Sequence, residues 1–115
     1  MGLDMWLNNS KDENVITWRK ANQIRGWFVD KGIIQDDDNC VQRPVTQQDI
    51  NDLVDDCKTV LADHSKAEEL LPPTSGFFFG SEEFDKWYYE DLQMTVEKLE
   101  PLKEKDDHYI YEDWW

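Results

Sequence analysis

The chain has 115 residues, enough for one compact domain and hardly two, and a composition 39% hydrophobic, 33% charged and 13% aromatic excludes a disordered polymer. Twelve basic residues against 26 acidic ones give a net charge of −14, which repels nucleic-acid phosphates and anionic membranes and argues against direct contact with either. The imbalance is uneven: residues 1–31 hold five basic and four acidic residues, whereas 32–115 hold seven and twenty-two.

Leu3, Met5 and Leu7 alternate with Asp4 and Trp6, the period of a short strand. Past the polar stretch Asn8 to Asn14, the apolar set Trp18, Ala21, Ile24, Trp27 and Phe28 falls at helical spacing and predicts a first helix from about Val15 to Asp30, stopping near Gly32. Gln35 to Asn39 is a turn or loop, and Cys40 to Val45 supplies a brief strand that Pro44 places at a sheet edge. Thr46 and Asp49 form a capping box ahead of Ile50, Leu53, Val54, Cys57, Val60 and Leu61, whose spacing specifies a second helix. Pro72 and Pro73 end that region after a second capping arrangement at Ser65 to Glu68. Ser81, Glu82 and Glu83 open a third helix carrying Phe84, Tyr88, Leu92, Val96 and Leu99, which Pro101 ends or kinks, and His108 to Trp115 reads as a last strand paired with the first. The expected architecture is a single acidic α+β domain over 1–115, with about three helices on a two- or three-stranded antiparallel sheet joining the N- and C-terminal strands.

No apolar run reaches the length of a signal peptide or membrane span, and position 6 lacks the Ser or Thr that N-myristoylation requires, so a cytoplasmic protein is expected. Cys40 and Cys57 are too few for a disulfide framework of the secreted kind. Cys57 sits in the middle of an apolar stripe and reads as a buried, inert thiol. No zinc spacing joins the cysteines to His64 or His108, Asp36 to Asp38 lacks the downstream positions of a calcium loop, and no cofactor motif is present. The run Gly76 to Gly80 lacks the lysine and spacing of a phosphate loop, so Phe77, Phe78 and Phe79 read as apolar anchors.

Three candidate surfaces remain. Helix numbering sets Lys20 and Arg25 on or beside the apolar stripe, so Trp18, Arg19, Lys20, Asn22, Arg25, Trp27 and Asp91 form either a fold-specifying ion-pair cluster or a pocket, Asp91 pairing with Arg25 or Arg19. Glu83, Glu90, Glu97 and Glu104 recur every seven residues, a carboxylate stripe along one helix that either imitates a phosphate backbone or is a solvated face. Trp87, Tyr88, Trp114 and Trp115 add rigid aromatic anchors of the kind that dominate interfaces.

The segments Met1-Gly2-Leu3-Asp4-Met5-Trp6-Leu7, Trp18-Arg19-Lys20-Ala21-Asn22-Gln23-Ile24, Gly26-Trp27-Phe28-Val29, Ser75 to Ser81 and Trp87-Tyr88-Tyr89-Glu90-Asp91-Leu92 resemble a family of small proteins widespread in bacteriophages and prophages. The resemblance spans nearly the whole chain, although family members often carry His where this chain has Arg25. It implies a phage accessory protein in the host cytoplasm, of a kind that commonly disarms a host system. The expected function is therefore non-enzymatic: binding and inhibiting or sequestering a basic host protein in antiviral defence, with homodimerisation open. The alternatives are a binder of a nucleotide-like signalling molecule through the first helix, and a small enzyme using Cys, His, Arg25 and Asp91.

Overall fold

The computed structural model describes residues 2–74 and 83–115. Four strands, β1 (Asp4–Asn9), β2 (Asn14–Arg19), β3 (Arg43–Thr46) and β4 (His108–Trp114), form one antiparallel sheet in the order β2-β1-β4-β3. The helices are α1 (Asn22–Asp30), α2 (Gln47–Ala62), the single turn α3 (Ala67–Leu70) and α4 (Lys86–Leu99). The α+β class holds, as does the pairing of the N- and C-terminal strands, with Met5 opposite Asp113 and Leu7 opposite Tyr111. Among the described residues, no helix is long and apolar enough to cross a membrane.

Strand alternation decides the layering. Leu3, Met5 and Leu7 of the β1 segment, Ile16 and Trp18 of β2, and Tyr109 and Tyr111 of β4 are all buried, whereas Asp4, Trp6, Ile110 and Glu112 on the opposite face are only half-buried. The helices supply the facing layer with Ile24 and Phe28 from α1, Ile50, Leu53 and Val54 from α2, and Leu92 and Leu99 from α4. Phe28 sits where these layers meet, its ring edge-on to Trp18 and Trp27 and 4.6 Å between centroids from Tyr111.

The predicted first helix is corrected. Asn14 to Arg19 is a strand, and the helix begins only at Asn22. Val15, Ile16, Thr17 and Trp18 are β-branched or aromatic, the types that fit a pleated half-buried surface. The chain then turns at Lys20, which adopts a left-handed φ of 57° that no helix interior accepts. The sheet accordingly has four strands rather than two or three. The second helix stands as read: Thr46 Oγ1 accepts from the Asp49 amide and the Asp49 carboxylate accepts from the Thr46 amide, both at 3.0 Å. The third starts at Lys86 with Asp85 as its N-cap. Ser81 and Glu82, where the earlier start was expected, lie outside the described residues, as does the run Phe77, Phe78 and Phe79.

Candidate functional site

A cleft of about 260 Å³ opens between the β2–α1 turn and the first turns of α4, lined by Arg19, Lys20, Gln23, Glu83, Asp85, Trp87, Tyr88 and Asp91. On one side the Lys20 amide donates to the Leu3 carbonyl at 2.7 Å and its own carbonyl accepts from the Asn22 amide at 3.0 Å, which holds the left-handed turn. On the other side the Asp85 carboxylate caps α4 by accepting from the Tyr88 amide at 3.1 Å. Gln23 ties the two walls together, its Nε2 donating to the Tyr88 carbonyl and to Asp91 Oδ2, each at 3.2 Å. The innermost lining is Gln23, Tyr88 and the half-buried Asp91, while Arg19, Lys20, Glu83 and Trp87 form an exposed rim.

Burial pushes the Asp91 carboxyl up to about 6, reinforced by the like charges of Asp85 and Glu90 and opposed by the Gln23 hydrogen bond. Among the described residues Asp91 takes part in no ion pair. The expected pairing with Arg25 or Arg19 is thus replaced: Arg19 reaches Asp4 on β1 at 3.3 Å, and Arg25 pairs with Asp113 on β4. Trp87 is 62% exposed and carries Lys86 Nζ 4.7 Å from its ring centroid.

The other members of the predicted pocket do not line this cleft and are hydrogen-bonded elsewhere. Trp18 donates from Nε1 to the buried Thr95 hydroxyl at 2.8 Å, and Trp27 to Asp56 Oδ2 at 2.8 Å. Asn22 clamps the segment after α3, accepting from the Thr74 amide at 2.9 Å through its side chain and from the Thr74 hydroxyl at 2.8 Å through its carbonyl. Arg25 is the centre of a buried network that helix spacing did not show. Its Nε donates to Asp113 Oδ2 at 2.8 Å, and one terminal nitrogen donates to the carbonyls of Asp36 and Asp38 at 3.0 and 2.9 Å. Asp113 also accepts from the Tyr111 hydroxyl at 2.7 Å. Burial raises both the Asp113 carboxyl and the Tyr111 hydroxyl. Trp115 closes this network, its indole donating to the Asp38 carbonyl at 2.8 Å and its ring lying 5.4 Å from the Arg25 guanidinium carbon.

The carboxylate stripe is broken. Only Glu90 and Glu97 lie on α4, because Glu83 precedes it and Glu104 follows the 3-10 turn at Glu100–Leu102. All four are exposed. Of the aromatic anchors, Trp87 and Trp114 are each 62% exposed, whereas Tyr88 is buried and donates to the Leu71 carbonyl at 2.6 Å. Cys57 is fully buried, and burial pushes its thiol upward; Cys40 is exposed, His64 stacks on Tyr89 and His108 opens β4. Among the described residues, no group of three or more His, Cys, Asp or Glu could hold a metal ion. Sequence reasoning misses Gln23, Asp38, Tyr111 and Asp113; for Gln23 the one available signal is its place directly before Ile24, in the helix that carries Ile24, Trp27 and Phe28 into the core.

No protein-family model, no curated protein and no solved structure matches the chain.

Proposed function

We propose that this protein is a phage-type accessory protein that acts by adhesion in the host cytoplasm, binding a basic host protein, a component of antiviral defence, and inhibiting or sequestering it. The observation that carries this reading is Trp87, an indole left 62% exposed at the start of α4 among the exposed carboxylates of Glu83 and Glu90. An exposed tryptophan in a small domain is the residue type that anchors interfaces, and carboxylates around it favour a partner with the opposite charge. The net charge of −14 steers such a partner from a distance and rejects acidic ones.

Arg19 and Lys20 in the same cleft as Trp87 support a second reading, a nucleotide-like ligand stacked on the indole. Three carboxylates line that cleft against the two cations, and an anionic ligand meets them all. The adhesion reading is therefore preferred.

The test is capture from host lysate on the immobilised protein. Salt-sensitive recovery of a basic, nucleic-acid-binding protein, lost in Trp87→Ala and in the combined charge reversal Glu83→Lys, Glu90→Lys and Glu97→Lys without a fall in melting temperature, is the expected result. Recovery that ignores both variants overturns the reading. A thermal shift with nucleotides, lost in Arg19→Ala, would transfer the assignment to the small-molecule alternative.

A further inference from the structure

We infer that the cleft between the β2–α1 turn and α4 is a socket for one arginine side chain of the bound protein, with Asp91 receiving the guanidinium and Trp87 stacking against it; this rests on the adhesion reading above. Size is the first argument. A cleft of about 260 Å³ has room for a single side chain, at the small end of ligand pockets.

The distribution of charge is the second. The cations of the cleft stand at its exposed rim, and Arg19 is turned to Asp4 at 3.3 Å with its side chain 80% exposed. The inner lining of Gln23, Tyr88 and Asp91 contains a carboxylate and no cation. Asp91 is held in place by the neutral amide of Gln23, which fixes its direction without supplying a counter-charge. A guanidinium entering there replaces lost solvation with a charge-assisted hydrogen bond, and its planar fork suits a carboxylate better than an ammonium does. The indole is the third. Trp87 is 62% exposed, and although Lys86 Nζ lies 4.7 Å from its centroid, a guanidinium stacks on tryptophan more effectively than a lysine head and displaces it.

The experiment is an NMR titration of the full chain with N-acetyl-arginine methylamide and, separately, with AMP. Saturable shifts of the Trp87 indole and Gln23 side-chain amide signals are expected with the arginine derivative and not with AMP. Asp91→Asn should weaken that binding about tenfold or more, as expected for removal of a partly desolvated charge partner, and Lys20→Ala, which removes a like charge from the rim, should tighten it. If Asp91→Asn fails to fold, Trp87→Ala, at an exposed position, serves instead and should weaken binding. Shifts with AMP alone, no shifts at all, or arginine binding indifferent to both variants overturns the socket. Two outcomes separate the socket from the reading beneath it. Partner capture that survives Asp91→Asn but is lost on charge reversal of the glutamates defeats the socket alone, whereas arginine binding without any basic partner captured defeats the adhesion reading alone.

Discussion

Arg25 carries its charge into an interior where it and Asp113 are each 1% exposed, and desolvating two ions is costly unless every donor is used. Here the donors go to Asp113 and to the carbonyls of Asp36 and Asp38, and Tyr111 fills a further acceptor site on Asp113. Arg25→Ala strands a buried carboxylate and two carbonyls, and should lower unfolding free energy by about 3–5 kcal/mol in urea denaturation. Arg25→Met with Asp113→Leu should recover only part of that loss, because the two carbonyls and the Tyr111 hydroxyl remain without their partners. Full recovery would show that the pair alone was what mattered.

Asp91 behaves in the opposite sense. Its carboxyl titrates at about 6 in the folded chain and near 3.8 when unfolded, so between pH 4 and 6 the unfolded chain releases its proton first. Ionisation therefore favours unfolding, and stability contributed below pH 4 is lost as pH rises through 6. Asp91→Asn, which keeps an acceptor for Gln23, should stabilise the protein by on the order of 1 kcal/mol at neutral pH, after allowance for solvent screening, and by nothing near pH 4. Thermal melts of Asp91→Asn and of the unaltered chain from pH 4 to neutral pH provide the check.

At the scale of elements, α1 is pinned by its glycine. A Cβ on Gly26 would lie 2.4 Å from the Thr74 hydroxyl oxygen, which is committed to the Asn22 carbonyl. Helix propensity favours alanine over glycine by about 1 kcal/mol, but the displaced Thr74 and its hydrogen bond outweigh that gain. Gly26→Ala should destabilise by about 1–2 kcal/mol, and in a Thr74→Ala background the same change should be neutral or stabilising. Chemical denaturation of the four-member cycle decides it.

The elements also show what could be read in advance. The α2 helix was legible because Thr46 and Asp49 cap it locally and its apolar spacing runs without interruption, and β1 because Leu3, Met5 and Leu7 alternate cleanly. The β2–α1 unit was misread because Trp18 and Ala21 happen to continue the spacing of Ile24, Trp27 and Phe28 backwards across a junction. Buried residues on a strand and on the helix after it can mimic one stripe when a single left-handed residue, Lys20, joins them. The period of two in Ile16 and Trp18, opposite a polar turn, was the competing signal. The site was legible in part: Arg19, Lys20 and Asp91 do share a cleft. The destination of Arg25 was not, since its partner lies 88 residues away on a strand whose inward face is set only by sheet register.

For the whole molecule, charge acts on folding and on binding in opposite directions. Twenty-six acidic residues against twelve basic ones repel one another more in the compact chain than in the expanded one, so self-repulsion destabilises the fold, while the same field attracts a basic partner. Among the described residues several ion pairs that offset it are exposed, such as Lys58 with Glu100 and Lys66 with Glu69, and contribute little. Raising NaCl from about 20 mM to about 500 mM shortens the screening length from roughly 20 Å to roughly 4 Å. The melting temperature should therefore rise by several degrees, while partner capture falls. The buried Arg25–Asp113 pair, shielded from solvent ions, should be insensitive to this change, so the stability lost in Arg25→Ala should be the same at both salt concentrations. If the melting temperature instead fell with salt, the exposed pairs would be holding the fold, and the acidic surface would be a scaffold rather than a surface for a partner.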